Sequence, residues 1–151
     1  MLFAIALYDV VLTVHILAVV VAFGVVFAYP VLDAQIRRAG PCDLPALHRL
    51  HLALAQRVIT PAMVVVLLAG LYLALDRYDL GDPWISATLT ILVVLFGLVG
   101  AVLTPTDRRL AELAERGPSE DYAREARKAA IFGSLALALV VVAIFLMVAK
   151  P

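Results

Sequence analysis

Four apolar runs, each long enough to cross a lipid bilayer, constrain the fold of this chain more than any other feature. They cover residues 10–32, 58–75, 84–104 and 129–149. About 20 helical residues suffice to cross ~30 Å of hydrocarbon. Hydrophobic residues make up 64% of the 151 residues and charged residues only 16%, which is unlike a water-soluble domain. The sequence therefore predicts an all-α fold, an integral membrane four-helix bundle, with residues 1–151 forming a single transmembrane domain.

Two of the runs are preceded by amphipathic stretches that predict helices longer than the membrane is thick. Between residues 46 and 57, leucines alternate at helical spacing with histidine and arginine. Ser119 offers a helix N-cap, and no breaker follows between it and the fourth run. We therefore expect helices 2 and 4 to extend beyond the membrane.

The connections carry the residues that interrupt helices. Charge, glycine and proline predict a loop over Asp33–Pro45 and a short turn over Asp76–Pro83. Helix 3 is expected to begin at Trp84 and to end at Thr104–Pro105. There Thr106 or Asp107 would cap a separate short charged helix that ends near Gly117.

Lysine and arginine are distributed unevenly over these connections. Ten lie on the two long connections and two on the opposite side of the membrane. The ten are Arg37, Arg38, Arg49, Arg57, Arg108, Arg109, Arg116, Arg124, Arg127 and Lys128; the two are Arg77 and Lys150. Because basic residues near membrane spans are retained in the cytoplasm, we expect an N-out/C-out bundle with helices 2 and 4 extended into the cytoplasm.

Small residues predict which helix faces pack, because they let transmembrane backbones approach closely. On helix 1, Ala18 and Ala22 share a face with His15, whereas Gly24 points away. Similar stripes predict the packed faces of the other helices. They are Ala55, Ala62 and Ala69 on helix 2; Ser86, Thr90, Gly97, Ala101 and Thr104 on helix 3; and Ala129, Gly133, Ala136 and Ala143 on helix 4. A local kink is expected at Pro61.

His15 is the only ionisable side chain predicted to lie well inside a span. Intramembrane ionisable groups are costly and often functional, and a neutral imidazole could ligate haem iron or relay a proton. A structural histidine, hydrogen-bonded to water or to a hydroxyl of Tyr8, Thr88 or Thr90, is an equally good interpretation. We expect His15 to point into the bundle in either case.

Other polar residues give weaker signals. His48 and His51 share a helical face but lie at the opposite membrane end from His15, and they lack the further ligands that zinc needs, so no metal site is predicted. Arg57 is expected to extend toward lipid phosphate. The twelve basic residues balance twelve acidic ones, which gives no reason to expect nucleic acid as a partner.

Two segments resemble a known superfamily. The helix-1 motif Leu12-Thr-Val-His15 and the motif Arg57-Val-Ile-Thr-Pro-Ala-Met63 are similar to those of small membrane bundles that include HemJ-type protoporphyrinogen oxidases and copper-resistance D proteins. Trp84 and the ending Thr104-Pro105-Thr-Asp-Arg-Arg resemble a related family of predicted integral membrane proteins of unknown function. The resemblance implies that His15 is a ligand of haem b, by analogy with the helix-1 histidine of HemJ-like proteins.

These observations leave several functions open. The first is a haem-associated or redox-linked role through His15. The second is a non-catalytic membrane subunit or partner-binding protein that uses the helix extensions, with a small transporter as a third. The expected location is a bacterial inner membrane, crossed several times, where the protein contacts lipid and either a second copy or a membrane partner.

Overall fold

The computed structural model describes residues 2–40, 42–78, 80–117 and 119–149, and this part of the chain contains helices but no strand. The helices are α1 (Leu2–Arg38), α2 (Leu44–Leu54), α3 (Thr60–Arg77), α4 (Pro83–Gly97), α5 (Thr104–Arg116) and α6 (Glu120–Ala149). A π-helical segment, Ala55–Ile59, joins α2 to α3, and a second, Leu98–Leu103, joins α4 to α5.

The described residues thus form four long helices that are apolar enough to cross a membrane: Leu7–Arg38, Leu44–Arg77, Pro83–Arg116 and Glu120–Ala149. Each has 30 to 34 residues, more than the roughly 20 that a bilayer requires. The all-α architecture with four candidate spans is therefore confirmed.

The predicted helix extensions are continuous with their spans. No break separates α2 from α3 at Arg57, and α6 passes Lys128 without interruption. The backbone N–H of Tyr122 donates to Ser119 Oγ at 3.1 Å, so Ser119 caps α6 as expected.

Two predicted boundaries are wrong. The loop expected over Asp33–Pro45 is mostly helical, because α1 continues through Pro30 to Arg38. Helix 3 does not end at Thr104–Pro105 but continues to Arg116. Thr106 and Asp107 are buried rather than capping a new helix.

The π-helical segments explain how the chain passes two prolines without breaking. Proline lacks the N–H that an α-helix would use at that position. Ahead of each proline the helix widens, so that the N–H of Thr60 bonds the carbonyl of Ala55 and the N–H of Thr104 bonds that of Val99. The Thr60 hydroxyl also donates to the Ala55 carbonyl at 2.9 Å. The irregularity expected at Pro61 thus takes the form of a π-helical turn.

The helix-1 face is predicted correctly. His15, Ala18 and Ala22 are buried, whereas Gly24 is exposed and a Cβ added there would meet no atom within 4 Å. Ala55 and Ala69 of helix 2, and Ala136 and Ala143 of helix 4, are buried as well.

The face predicted for helix 3 is wrong. Its small residues Ser86, Thr90, Gly97 and Ala101 are exposed. The helix instead buries the face that carries Ile85, Thr88, Leu92 and Leu95. This face packs against α6, whose alanines leave room for large side chains.

An apolar core fills the middle of the bundle. Ala22, Val66, Leu95 and Val140, one from each long helix, are at most 2% exposed. Within this bundle α1 packs mainly on α3, and α4 on α6. The core separates the polar groups at the two ends of the molecule.

At the end opposite the α3–α4 turn, the polar parts of the helices pack into a unit that we call the head. It comprises residues 33–38 of α1, all of α2 and α5, and residues 120–128 of α6. In the head α2 packs on α5, and α5 on α6. Arg49 Nη1 lies 3.1 Å from Glu115 Oε1 and links α2 to α5.

Candidate functional site

His15 lies at the interface of α1 and α3 and is 8% exposed. The α3 residue beside it is Gly70, and a Cβ added there would lie 3.0 Å from His15 Cε1 and 3.4 Å from Nδ1. The ring therefore fills the space that the missing Cβ of Gly70 leaves.

None of the expected hydroxyl groups among the described residues satisfies His15. The hydroxyls of Thr88 and Thr90 each donate to a backbone carbonyl of α4 at 2.7 Å. The ring of Tyr8 lies under the Arg77 guanidinium, 3.8 Å from its central carbon. His15 Nδ1 is buried without a hydrogen-bond partner in the described part of the chain.

These contacts bear on whether the site fits haem. An unpartnered imidazole nitrogen is chemically suited to be an axial ligand. However, Nδ1 faces Gly70 so closely that even a methyl group would crowd the ring. A macrocycle does not fit on this nitrogen while α1 and α3 are packed as observed.

A second set of polar residues, buried or half-buried, lies in the head and on the adjoining turn of α1, and the sequence analysis did not bring them together. We call Tyr29, Asp33, His48, His51, Asp107 and Tyr122 the head cluster. The rings of Tyr29 and His51 have centroids 4.0 Å apart, and His51 Nδ1 lies 4.0 Å from Asp33 Oδ1. His48 Nε2 forms a hydrogen bond of 3.0 Å with Tyr122 Oη. The cluster thus joins side chains from all four long helices.

Asp107 is the least compensated member of the head cluster. It is 6% exposed, and the structure records no hydrogen bond or ion pair for it among the described residues. Its carboxylate interacts electrostatically with Asp33 and with Tyr29. The Tyr29 hydroxyl and the Thr106 hydroxyl are also buried without hydrogen-bond partners there. Buried polar groups without partners are rare in proteins and often mark function.

Another buried carboxylate of the head has basic side chains beside it, as is usual for a buried charge. Glu125 is 7% exposed, but Arg109 Nη1 lies 3.6 Å from one of its oxygens and Lys128 Nζ 3.8 Å from the other. Two cations therefore compensate its charge. No ion pair of this kind is recorded for Asp107 among the described residues.

Burial shifts the pKa values of those head-cluster groups that lie outside the predicted spans. Burial, followed by the charge of Asp33, raises the pKa of Asp107 to about 7. Burial lowers the pKa of His51 to about 4. Burial and the neighbouring His51 lower the pKa of His48, partly offset by Asp33. At neutral pH both histidines are therefore neutral, while Asp107 is near its titration point.

In the described part of the chain, no group of three histidine, cysteine, aspartate or glutamate side chains that could hold a metal ion includes His48 or His51. Arg57 is exposed in the first π-helical segment. Its contact with lipid phosphate stays a prediction.

The sequence contains a signal for the burial of Asp107. Leu110, Ala111 and Ala114 follow it at helical spacing of three, four and seven residues, and all are buried. Asp107 therefore lies on the apolar face of α5. The interpretation of Thr104–Pro105 as a helix end concealed this pattern.

Four long apolar helices around a closed core define an all-helical, multi-pass integral membrane protein. The chain belongs to the DUF2269 family of predicted integral membrane proteins, whose family model matches residues 9–151. No curated protein and no solved structure matches the chain.

Proposed function

We propose that this protein is a non-catalytic subunit of a bacterial inner membrane, with its head in the cytoplasm, where it binds an acidic surface of a partner protein. The proposed orientation rests on the ten basic residues on the head side against two on the other. The main support for partner binding is Arg116, an exposed arginine at the far end of α5 that has no ion pair among the described residues.

The position of Arg116 favours a protein over a lipid. It lies 12 residues beyond Thr104, the predicted end of the third span, which is about 18 Å along a helix. The polar layer of a bilayer extends only about 5 to 8 Å beyond the hydrocarbon on each side. Arg116 lines a groove between α5 and α6 together with Arg109 and Arg124. The latter two are paired with Glu125 and Asp121, so Arg116 is free to bind an external carboxylate.

The other candidate functions have less support. A permeation pathway needs a polar lane across the bilayer, but the four core residues Ala22, Val66, Leu95 and Val140 close the middle of the bundle. A haem role for His15 has one observation in its favour, the unpartnered Nδ1, and rests otherwise on the resemblance to HemJ-type proteins. It requires α1 and α3 to separate beside Gly70.

Partner binding can be tested with a photoreactive amino acid in place of Glu112, an exposed residue of the same groove. We expect a discrete adduct with a cytoplasmic protein in cells. The additional change Arg116→Glu should abolish it, because the partner surface is acidic. Arg57→Glu is the matched control, since this arginine lies near the membrane, and should leave the adduct in place. An adduct insensitive to Arg116→Glu, or one formed with a protein on the outer side, would contradict the proposal.

The haem alternative can be tested by absorption spectroscopy of purified protein supplied with haem. Because the imidazole is packed on Gly70, we expect the Soret absorbance of wild type and His15→Ala to be the same. His51→Ala controls for weak binding to other histidines. A Soret band in wild type and His51→Ala that His15→Ala lacks would establish the haem role and refute the closed packing.

A further inference from the structure

Exposed arginines surround the bundle at the level where its apolar surface ends on the head side. Large exposed apolar side chains reach Val31 on α1 and Ile131 on α6. Within two turns of them, each of the four long helices carries an exposed arginine that forms no ion pair among the described residues. We call these four residues the basic belt: Arg37, Arg57, Arg108 and Arg127.

The depth of the basic belt matches the phosphate layer of a bilayer. Arg57 directly precedes the second predicted span, and Arg127 lies two residues before the fourth. Arg108 and Arg37 lie four and five residues beyond the predicted ends of the third and first spans. At a helical rise of about 1.5 Å per residue, all four backbone positions lie at most about 8 Å outside the hydrocarbon. The polar layer of a bilayer extends about 5 to 8 Å on each side.

Acidic side chains at the same depth are less exposed than the basic belt. Asp107 and Glu125 are buried, at 6% and 7% exposure. Asp33 is half-buried, and its Oδ1 lies 4.0 Å from Nδ1 of His51 on α2. The outward surface at this depth is therefore positively charged, although the chain as a whole has no net charge.

Farther from the membrane, exposed carboxylates are available to pair with arginine. Among the described residues of α5 and α6 they begin at Glu112 and Asp121, eight residues beyond the spans, which is about 12 Å along a helix. Arg124 pairs there with Asp121 at 2.9 Å, and Arg49 pairs with Glu115 at 3.1 Å. The basic belt has no such partner in the described part of the protein, and lipid phosphate is the anion present at its depth.

The opposite membrane boundary has a different distribution of charge. Asp9 and Asp76 are exposed there. Arg77 is exposed as well, but its guanidinium lies over the ring of Tyr8 at 3.8 Å, and its Nε lies 3.9 Å from Asp76 Oδ2. In the described part of the chain, a surface of unpaired positive charge is therefore found on the head side.

We propose that the basic belt binds the phosphate groups of anionic phospholipids, such as phosphatidylglycerol, in the leaflet on the head side. A guanidinium group binds phosphate through two parallel hydrogen bonds. Each basic residue near an anionic lipid surface favours binding by about fivefold. Because the four arginines lie on different helices, the lipids surround the bundle. The belt is separate from Arg116, so this inference requires neither partner binding nor a cytoplasmic head.

The lipid preference of purified protein in phosphatidylcholine vesicles tests the proposal. Spin-labelled lipids report which headgroup lies next to the protein, and we expect wild type to select phosphatidylglycerol over phosphatidylcholine several-fold. The triple variant Arg57→Gln, Arg108→Gln, Arg127→Gln removes three unpaired charges and should reduce the preference to less than about half. Equal association of the two lipids with wild type, or a preference that the triple variant retains, would overturn the proposal.

Matched variants separate the basic belt from general effects of charge. Arg57→Gln should lower the preference, whereas Arg116→Gln should not, because Arg116 lies about 18 Å beyond its span. Equal losses in these two variants would show that the net charge of the head attracts the lipid, and would contradict the assignment to the belt. The triple variant with lysine in place of glutamine keeps the charges and should keep most of the preference. A loss as large as with glutamine would contradict recognition through charge.

Inorganic phosphate distinguishes a lipid headgroup from a free anion. At the same ionic strength, sodium phosphate and sodium chloride should reduce the preference for phosphatidylglycerol equally, because both act only by screening. Displacement of the lipid by phosphate beyond that caused by chloride would mean that the belt binds the free anion, and would refute the proposal.

Discussion

Gly70→Leu is expected to separate α1 from α3 and to lower the free energy of unfolding by about 1–3 kcal/mol, the usual cost of overpacking. The reason is the contact with His15, whose Cε1 lies only 3.0 Å from the position of a Cβ at Gly70. Unfolding by sodium dodecyl sulfate in mixed micelles would measure the loss. Gly24→Leu is the matched control and should change stability by less than about 0.5 kcal/mol, because Gly24 is exposed and a Cβ added there would meet nothing within 4 Å.

The cause of this loss can be assigned with a double-mutant cycle. In a His15→Ala background the space beside Gly70 is open, so Gly70→Leu should cost less than it does in wild type. Residues in direct contact typically show coupling of about 0.5–3 kcal/mol. Strict additivity of the two changes would mean that His15 does not occupy the space over Gly70.

Ala22→Leu is expected to have an effect of similar size, about 1–3 kcal/mol of destabilisation. Ala22 is 0% exposed in the apolar core, and a larger side chain there must displace its neighbours. Ala28→Leu, at an exposed position of the same helix, should be nearly neutral because leucine is well accommodated by lipid. Equal losses for the two variants would contradict the observed face of α1. Unfolding by sodium dodecyl sulfate in mixed micelles would measure both losses.

The contrast between α1 and α4 shows where a packing rule based on small residues succeeds and where it fails. On α1, the small residues Ala18 and Ala22 are buried together with His15, on the face that the sequence predicts. On α4, Gly97 and the other small residues face outward, whereas Leu92 and Leu95 are buried. The difference lies in the partner: α6 contributes the small residue Ala136 to the core cluster that contains Leu92 and Leu95. Close packing requires only that the side chains of the two helix faces be complementary in volume. The sequence of one helix does not indicate how large the side chains of its partner are.

For a similar reason, the sequence predicts the burial of His15 but not the head cluster. The burial of His15 follows from its own helix, because it is a single polar residue among apolar ones that share a face with Ala18 and Ala22. The head cluster depends on residues far apart in the chain. Tyr29 and Asp107 are 78 positions apart in the sequence, and no local pattern indicates that they approach each other.

The sequence by itself determined the four apolar helices and the continuity of the amphipathic extensions. These features depend on residue spacing and on the length needed to cross a bilayer, which are local properties. Only the tertiary structure decided which face of α4 is buried, that the helix continues past Thr104–Pro105, and that Asp107 is buried in the head. A π-helical turn before Pro105 keeps the helix intact and places Asp107 on the inner face of α5. On the other side of the head, α1 continues beyond its predicted end to Arg38, and this places Asp33 beside His51 of α2.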